Sequence, residues 1–354
     1  MRRLALTAAA LLALVAAPAA DARRAATPPS WAATDIATVV GRGLLPGVTA
    51  ATFQPDLPLD SATLQLLVAG ALPQGSVRAR VPAGRTALTI GQLDATLVRA
   101  AGLGPDASRA LAAIRRAGYK PRGDAGTEVT ARLLGLRYNH PTGTDDLERS
   151  VTEPATRAEA AYSIARVLEW GGWEVANARA TLALLEGLPV TEGERHAALQ
   201  RAVVLIGQPY VWAGEWEKPD APDGEHQAHG GFDCSGLVMR VFVHDPAVPP
   251  GVAARVGGRS TYEIAKTTPK PLRLAPEAVQ PGDVLLFGSK GRRSTWKQVD
   301  HAGIAMGNGL FIHSSSQGVT ITRWDTGWHA DSFAWGKDVL GPAGAPAQPA
   351  APPA

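Results

Sequence analysis

The sequence predicts an α+β protein built in two parts, a mostly α-helical half followed by an antiparallel sheet with a helix laid against it. Three observations carry this. Residues 31–185 are rich in Ala and Leu at helical spacing. Residues 284–322 hold short runs of strand-forming residues separated by turn signals. Between them lies the one cysteine of 354 residues, in Gly231-Phe232-Asp233-Cys234-Ser235-Gly236-Leu237-Val238. There Leu237, Val238, Val241 and Phe242 recur at helical spacing and place Cys234 at a helix N-terminus.

In chain order, Met1-Arg2-Arg3 is a basic start, Leu4 to Ala17 an apolar run too short to span a bilayer, and Ala20-Asp21-Ala22 offers small residues for cleavage. Residues 1–22 therefore read as a secretory signal peptide, with no cysteine at the cleavage site for lipid attachment. No later stretch is long and apolar enough to span, so the expected product is an exported soluble chain, periplasmic or wall-associated or secreted. An apolar content of 45% suffices for two or three domains. The net charge of +3 is a mild bias, and the basic residues are not interleaved with aromatics, so no nucleic-acid partner is expected.

Within 31–185, Ile36, Val39 and Val40 begin a helix ending at Gly43, and Asp60-Ser61 opens a second that reaches about Leu72. Leu88-Thr89-Ile90-Gly91-Gln92-Leu93 opens a third, reaching Ala101. Gly135-Leu136 leads through an Asp145-Asp146-Leu147 loop to Thr156-Arg157-Ala158-Glu159, a capping box before another helix. Helix–loop–helix units at roughly fifty-residue spacing predict a repeat architecture, against the plainer reading of a helical spacer.

Thr191-Glu192-Gly193-Glu194 reads as a further capping box, for a helix with Ala198, Ala202, Val203 and Ile206 on its apolar face. Polar residues 215–230 form an insertion carrying His226 and His229, a weak metal pair more consistent with a solvated rim loop. Val284 to Phe287 is apolar throughout and reads as a central strand, and a basic insertion, Lys290 to Lys297, precedes His301. Val319 to Thr322 alternates as a further strand, and the Pro/Ala/Gly tail 341–354 is expected to be disordered.

A lone cysteine is either a small buried hydrophobe or a nucleophile. Unpaired N–H groups at a helix N-terminus favour its thiolate, and a base with an orienting partner completes a nucleophilic site. Asp300 to Met306 and Leu310 to Ser314 read as two strands joined at Gly307-Asn308-Gly309, carrying His301 and His313. The spacings are 301 − 234 = 67 and 313 − 301 = 12. A two-residue loop would pair Ile304 with His313 and put the imidazoles on opposite faces. A three-residue loop, with Gly309 left-handed in a bulge, pairs Gly303 with His313 and makes the imidazoles diagonal neighbours. If His313 orients His301, the odd-numbered loop is required.

Gly231 to Val238, Pro281-Gly282-Asp283-Val284, Asp300-His301-Ala302-Gly303-Ile304 and Phe311-Ile312-His313 together resemble the NlpC-type cysteine peptidases, papain-like enzymes that cut peptidoglycan stem peptides. The resemblance covers roughly residues 195–340 and implies a Cys234–His301–His313 triad: nucleophile, base, and orienting partner. It also implies that Tyr210 of Gly207-Gln208-Pro209-Tyr210 faces the cleft, unless it packs under the helix. Arg259 and Ser260 of Gly258-Arg259-Ser260-Thr261 would stand near substrate. Asp233 either meets a substrate amine or caps the Cys234 helix, and Ser235 offers its backbone N–H to the oxyanion. Residues 31–185 are similar to S-layer homology repeats, which grip wall polymers; Arg157 falls where that family's ligand-contacting arginine stands, but the first two units lack it.

The organisation read from the sequence is thus a signal peptide (1–22), S-layer-homology-like repeats (31–185), an NlpC-type catalytic domain (191–340) and a tail (341–354). The expected activity is hydrolysis of peptidoglycan stem peptides, at the bond between γ-D-glutamate and a diamino acid, with no metal or organic cofactor. The alternatives are an amidase or acyltransferase using the same residues, and a non-catalytic wall-binding protein.

Overall fold

The computed structural model describes residues 30–72, 80–138, 148–220, 222, 226–227, 229–249 and 251–341. The expected signal peptide, the loop around Asp145, and the tail from residue 342 lie outside them. The helical half contains α1 (Ala33–Gly41), α2 (Ser61–Ala71), α3 (Ile90–Ala100), α4 (Gly104–Arg116), α5 (Ala125–Leu133), α6 (Arg157–Glu169) and α7 (Trp173–Leu184). The second half begins with α8 (Gly193–Val203), the short strands β1 (Glu215–Trp216) and β2 (Gly231–Phe232), and α9 (Cys234–Phe242). It continues through α10 (Val252–Val256), α11 (Thr261–Lys266), β3 (Val284–Gly288), β4 (Val299–Gly307), β5 (Leu310–Ser315), β6 (Gly318–Arg323), α12 (Gly327–Ser332) and β7 (Phe333–Lys337).

The caps of the helical half are those its sequence dictates. Asp60 caps α2, and Thr89 with Gln92 and Thr156 with Glu159 form capping boxes on α3 and α6. The residues just before these caps meet each other. Leu59 N–H donates to Ala155 O, Leu88 N–H to Leu59 O, and Ala155 N–H to Leu88 O, each at 2.8 Å. This three-membered backbone ring ties together the starts of three helices, each followed at once by its cap, and underlies the internal echo in the sequence. Thr191 departs from expectation: Glu192 occupies the N-cap of α8 and its side chain accepts no capping hydrogen bond, while the Thr191 hydroxyl bonds the buried Tyr119 hydroxyl at 2.7 Å.

Strands β6-β5-β4-β3-β7 form an antiparallel five-stranded sheet. Val284, Leu286, Ala302, Ile304 and Ile312 share a core with Leu237, Val241 of α9 and Ala198, Leu199 of α8. Leu285, Phe287, Phe311 and Phe333 form a separate cluster, as alternate residues of a strand must. β3 is buried throughout and lies inside the sheet, as its uniform apolarity requires.

The cores do not divide where the sequence does. One core is confined to the helical half, around Leu64, Leu93, Ala131 and Ile164. Ala110, Ala113 and Ile114 of α4, with Tyr119, Ala125 and Val129, instead join the core of the sheet half. A buried charge network reinforces that junction. Arg132, its side chain without exposure, donates to Gly207 O at 2.8 Å, to Gln317 O, and to Glu148 at 3.0 Å. Arg137 reaches the same Glu148 at 3.1 Å and Asp94 at 2.9 Å. Arg132 therefore fixes the exit of α8 and the β5–β6 turn from the helical side.

Candidate active site

Asp233 ends β2 in extended conformation and accepts the Gly236 N–H at 2.5 Å, so it is the N-cap of α9. Cys234 follows as the first helical residue, partly exposed on a cleft of ≈830 Å³. The same cleft is lined by Tyr210, Trp212, Glu215, Asp233, Ser235, Arg259, Ser260, Tyr262, His301 and Ser314 to Ser316. Every cleft residue expected from the sequence thus lies in one place. His313 stands behind His301, 4% exposed, its Nδ1 2.9 Å from His301 Nε2. That contact occupies one ring nitrogen of His301 and leaves Nδ1 for the thiol.

The register is the one this geometry demands, reached by a different turn. Ile304 pairs with Ile312 and Ala305 with Phe311, so Gly303 faces His313. A Cβ on Gly303 would come within 2.9 Å of His313 Cβ and 2.5 Å of Phe311 Cδ2, so only glycine admits that neighbour. The ladder then skips Met306, pairing Gly307 with Leu310 across Asn308-Gly309, both at positive φ (52° and 72°). The parity change comes from a bulge in β4 closed by a two-residue turn, where a three-residue loop was expected.

Asp233 has its carboxylate fully engaged. Arg259 donates to both oxygens, at 3.0 and 2.9 Å, and the Ser235 hydroxyl bonds Oδ1 at 3.1 Å. Arg259 also bonds the Ser235 hydroxyl at 2.8 Å and pairs with Glu215, which in turn pairs with His244. Of the two roles weighed for Asp233, the structure shows the cap. Ser260 caps α11, its hydroxyl held by Glu263 at 2.9 Å.

Electrostatics corrects the expectation of a resting thiolate. Burial, reinforced by Asp233, pushes the Cys234 thiol up to about 12, outweighing the Ala302 and Ser235 N–H groups that favour the anion. Burial lowers His301 to about 3, with His329 nearby adding to the effect, and lowers His313 well below the ordinary imidazole range. The resting pair is neutral thiol beside neutral imidazole.

A third histidine, His329 of α12, lies close to both. Its ring centroid lies 5.3 Å from that of His313 and 6.2 Å from that of His301, against Phe311 at 4.9 Å. Nothing in its spacing signals this; α12 delivers it from beyond β6. Trp212 and Tyr262, exposed on the cleft wall, were also missed. Within the first insertion the Gln227 amide accepts from Glu215 N–H at 2.8 Å and donates to Trp216 O at 2.8 Å, tying its described ends together. His226 and His229 bond Asp220 and Gly230 O separately. The second insertion does not line the cleft: it forms short 3₁₀ turns whose Trp296 sits beside Lys266 of α11.

Fold and site define a cysteine–histidine centre, with the thiol on a helix N-terminus and the imidazoles on an antiparallel sheet. Residues 207–335 match the NlpC/P60 family, and that stretch is an NlpC/P60 domain. A probable endopeptidase of Mycobacterium tuberculosis is 35% identical over 143 residues, 39% of this chain and 29% of that protein. The gamma-DL-glutamyl hydrolase of Bacillus subtilis is 32% identical over 126 residues, 35% of this chain and 24% of its own. The chain thus spans under a third of the length of these relatives. A solved NlpC/P60 family protein from Bacillus cereus aligns over 43% of this chain and 42% of its own, at 20% identity and TM-score 0.32.

Proposed function

We propose that this protein is a cysteine endopeptidase that hydrolyses peptidoglycan stem peptides at the γ-D-glutamyl–diamino acid bond. The observation that carries the reading is the shared cleft of Cys234 and His301, with His313 Nδ1 2.9 Å behind His301 Nε2. The family of residues 207–335 and the endopeptidase names of its relatives support the substrate class. The thiol proton passes to His301 Nδ1 as Sγ attacks the scissile carbonyl, and the Ser235 N–H faces the developing oxyanion. His301 returns that proton to the leaving amine, giving a thioester and a free amine. Water, deprotonated by His301, then attacks the thioester and releases the acid and the thiol. A neutral resting pair means that substrate must drive the proton transfer, by displacing water and bringing the carbonyl to Sγ.

Residues 31–185 are proposed to hold a wall polymer, a reading supported by the threefold ring and by Arg157, which lies over Phe53 at 4.9 Å. Export is supported by the pattern of residues 1–22. The test is digestion of purified peptidoglycan followed by mass spectrometry. The protein should release fragments ending in D-glutamate, and Cys234→Ala should lose ~10⁴-fold or more of that rate. Equal release by both would remove Cys234 from the chemistry. No release by either, with the wall still sedimenting the protein, would leave a binding protein.

A further inference from the structure

His329 has no part in the proton path above, yet it completes a cluster of metal-ligating type. One ring nitrogen from each of His301, His313 and His329 lies within 4.8 Å of the others. Among the described residues this is the one group of three or more His, Cys, Asp or Glu side chains so arranged. We propose that these three histidines form an inhibitory site for a zinc-class divalent cation, which shuts the enzyme by capturing its base.

The donor set selects the ion. Three imidazoles without a carboxylate suit zinc and its neighbours and not calcium or magnesium, which take oxygen ligands. The shell resembles what such an ion requires. Phe287, Phe311 and Trp328 surround the three rings with apolar walls, with centroids 5.5, 4.9 and 5.1 Å from that of His329. His329 is itself partly exposed, so the cluster meets solvent at α12.

The geometry needs a small adjustment. Tetrahedral zinc with ligand bonds of about 2.0–2.1 Å holds its nitrogens ~3.4 Å apart. The His301–His313 contact of 2.9 Å must therefore open slightly, and His329 must swing inward from α12. The inhibitory consequence follows from tautomers. Neutral imidazole carries one N–H, so binding the ion through the Nε2 that faces His313 puts that proton on Nδ1. Nδ1 is then unable to accept a proton from the thiol, and the site is silenced with Cys234 untouched.

The test titrates chelator-treated full-length protein with zinc chloride by calorimetry, and with cobalt chloride by visible absorption. The expected result is one ion per chain and tetrahedral cobalt bands without a thiolate-to-metal band. Cys234→Ala should bind zinc within about twofold of the parent, and His329→Gln at least about tenfold more weakly. Metal-free His329→Gln should retain hydrolysis of peptidoglycan and resist zinc, whereas the parent should lose activity in proportion to bound zinc and regain it with chelator. No binding, loss of binding in Cys234→Ala, or undiminished binding in His329→Gln would each overturn the proposal. The Cys234→Ala arm decides even if His329→Gln does not fold. Inhibition rests on the proposed hydrolase activity and the binding arms do not, so the two readings fail separately.

Discussion

Two buried polar clusters stand either side of the α8 exit, and they solve burial in opposite ways. At the junction with the helical half, Arg132 and Arg137 are enclosed with Glu128, Glu148 and Asp94. Burial works against the charge on Arg137, but Asp94, Glu128 and Glu148 outweigh it and hold it charged. At the candidate active site, Cys234, His301 and His313, with His329 beside them, are held neutral by burial, and among the described residues none of the three imidazoles is paired with a carboxylate. Paired charges lock a junction in place, because each needs the others. Unpaired neutral groups leave a proton free to move, at the cost of stability whenever the solvent supplies protons.

The largest effect should come from breaking the charged cluster. Arg132→Ala takes from Glu128 its ion-pair partner, leaves Glu148 with Arg137 alone, and removes the donors to Gly207 O and Gln317 O, for an expected loss of about 3–5 kcal/mol in chemical unfolding. A loss below about 1 kcal/mol would mean that the network is not a lock.

Acid should separate the clusters by sign. A histidine whose folded pKa lies below its unfolded value near 6.5 leaves the unfolded state binding more protons, so stability falls with pH below 6.5. At pH 5.5 this amounts to about 1.4 kcal/mol for His313 alone. Glu128 acts the other way. Burial raises it to about 7, so the folded state takes up its proton first and gains stability as pH falls from about 7 towards 4.5. Glu128→Gln should therefore steepen the acid loss of melting temperature between pH 7 and 5. An unchanged slope would show that Glu128 does not titrate there.

The smallest effect concerns Thr320, opposite His313 on β6, whose buried hydroxyl has no hydrogen-bond partner. Thr320→Val should leave stability unchanged or raise it by about 1 kcal/mol, with hydrolysis retained. A large loss of hydrolysis with stability intact would draw Thr320 into the imidazole cluster.

Local features were legible in the sequence. The Cys234 helix, its Asp233 cap, the capping box at Thr156, and the histidine register all follow from residues near one another in the chain. Even the parity argument survived a mistaken turn, because parity depends on which residues face each other and not on how the chain reverses. What escaped was set by distant residues. The helix N-terminus at Cys234 argues locally for thiolate, but desolvation by the assembled cleft wins. Thr191 has the spacing of a cap and spends its hydroxyl on Tyr119. The sharing of α4 and α5 with the sheet core, and the arrival of His329, need the folded chain itself.

The backbone ring of Leu59, Leu88 and Ala155 bears on the order in which the chain gains structure. Its three bonds link positions 29, 67 and 96 residues apart (88 − 59, 155 − 88, 155 − 59). A chain growing from its N-terminus therefore cannot close the ring until residue 155 has emerged. Until then the first helices have caps but no common hub, and their folding is governed by the slow closure of long loops. The helical half is thus a late-setting unit despite its local helices, completed only when α6 arrives to seal it.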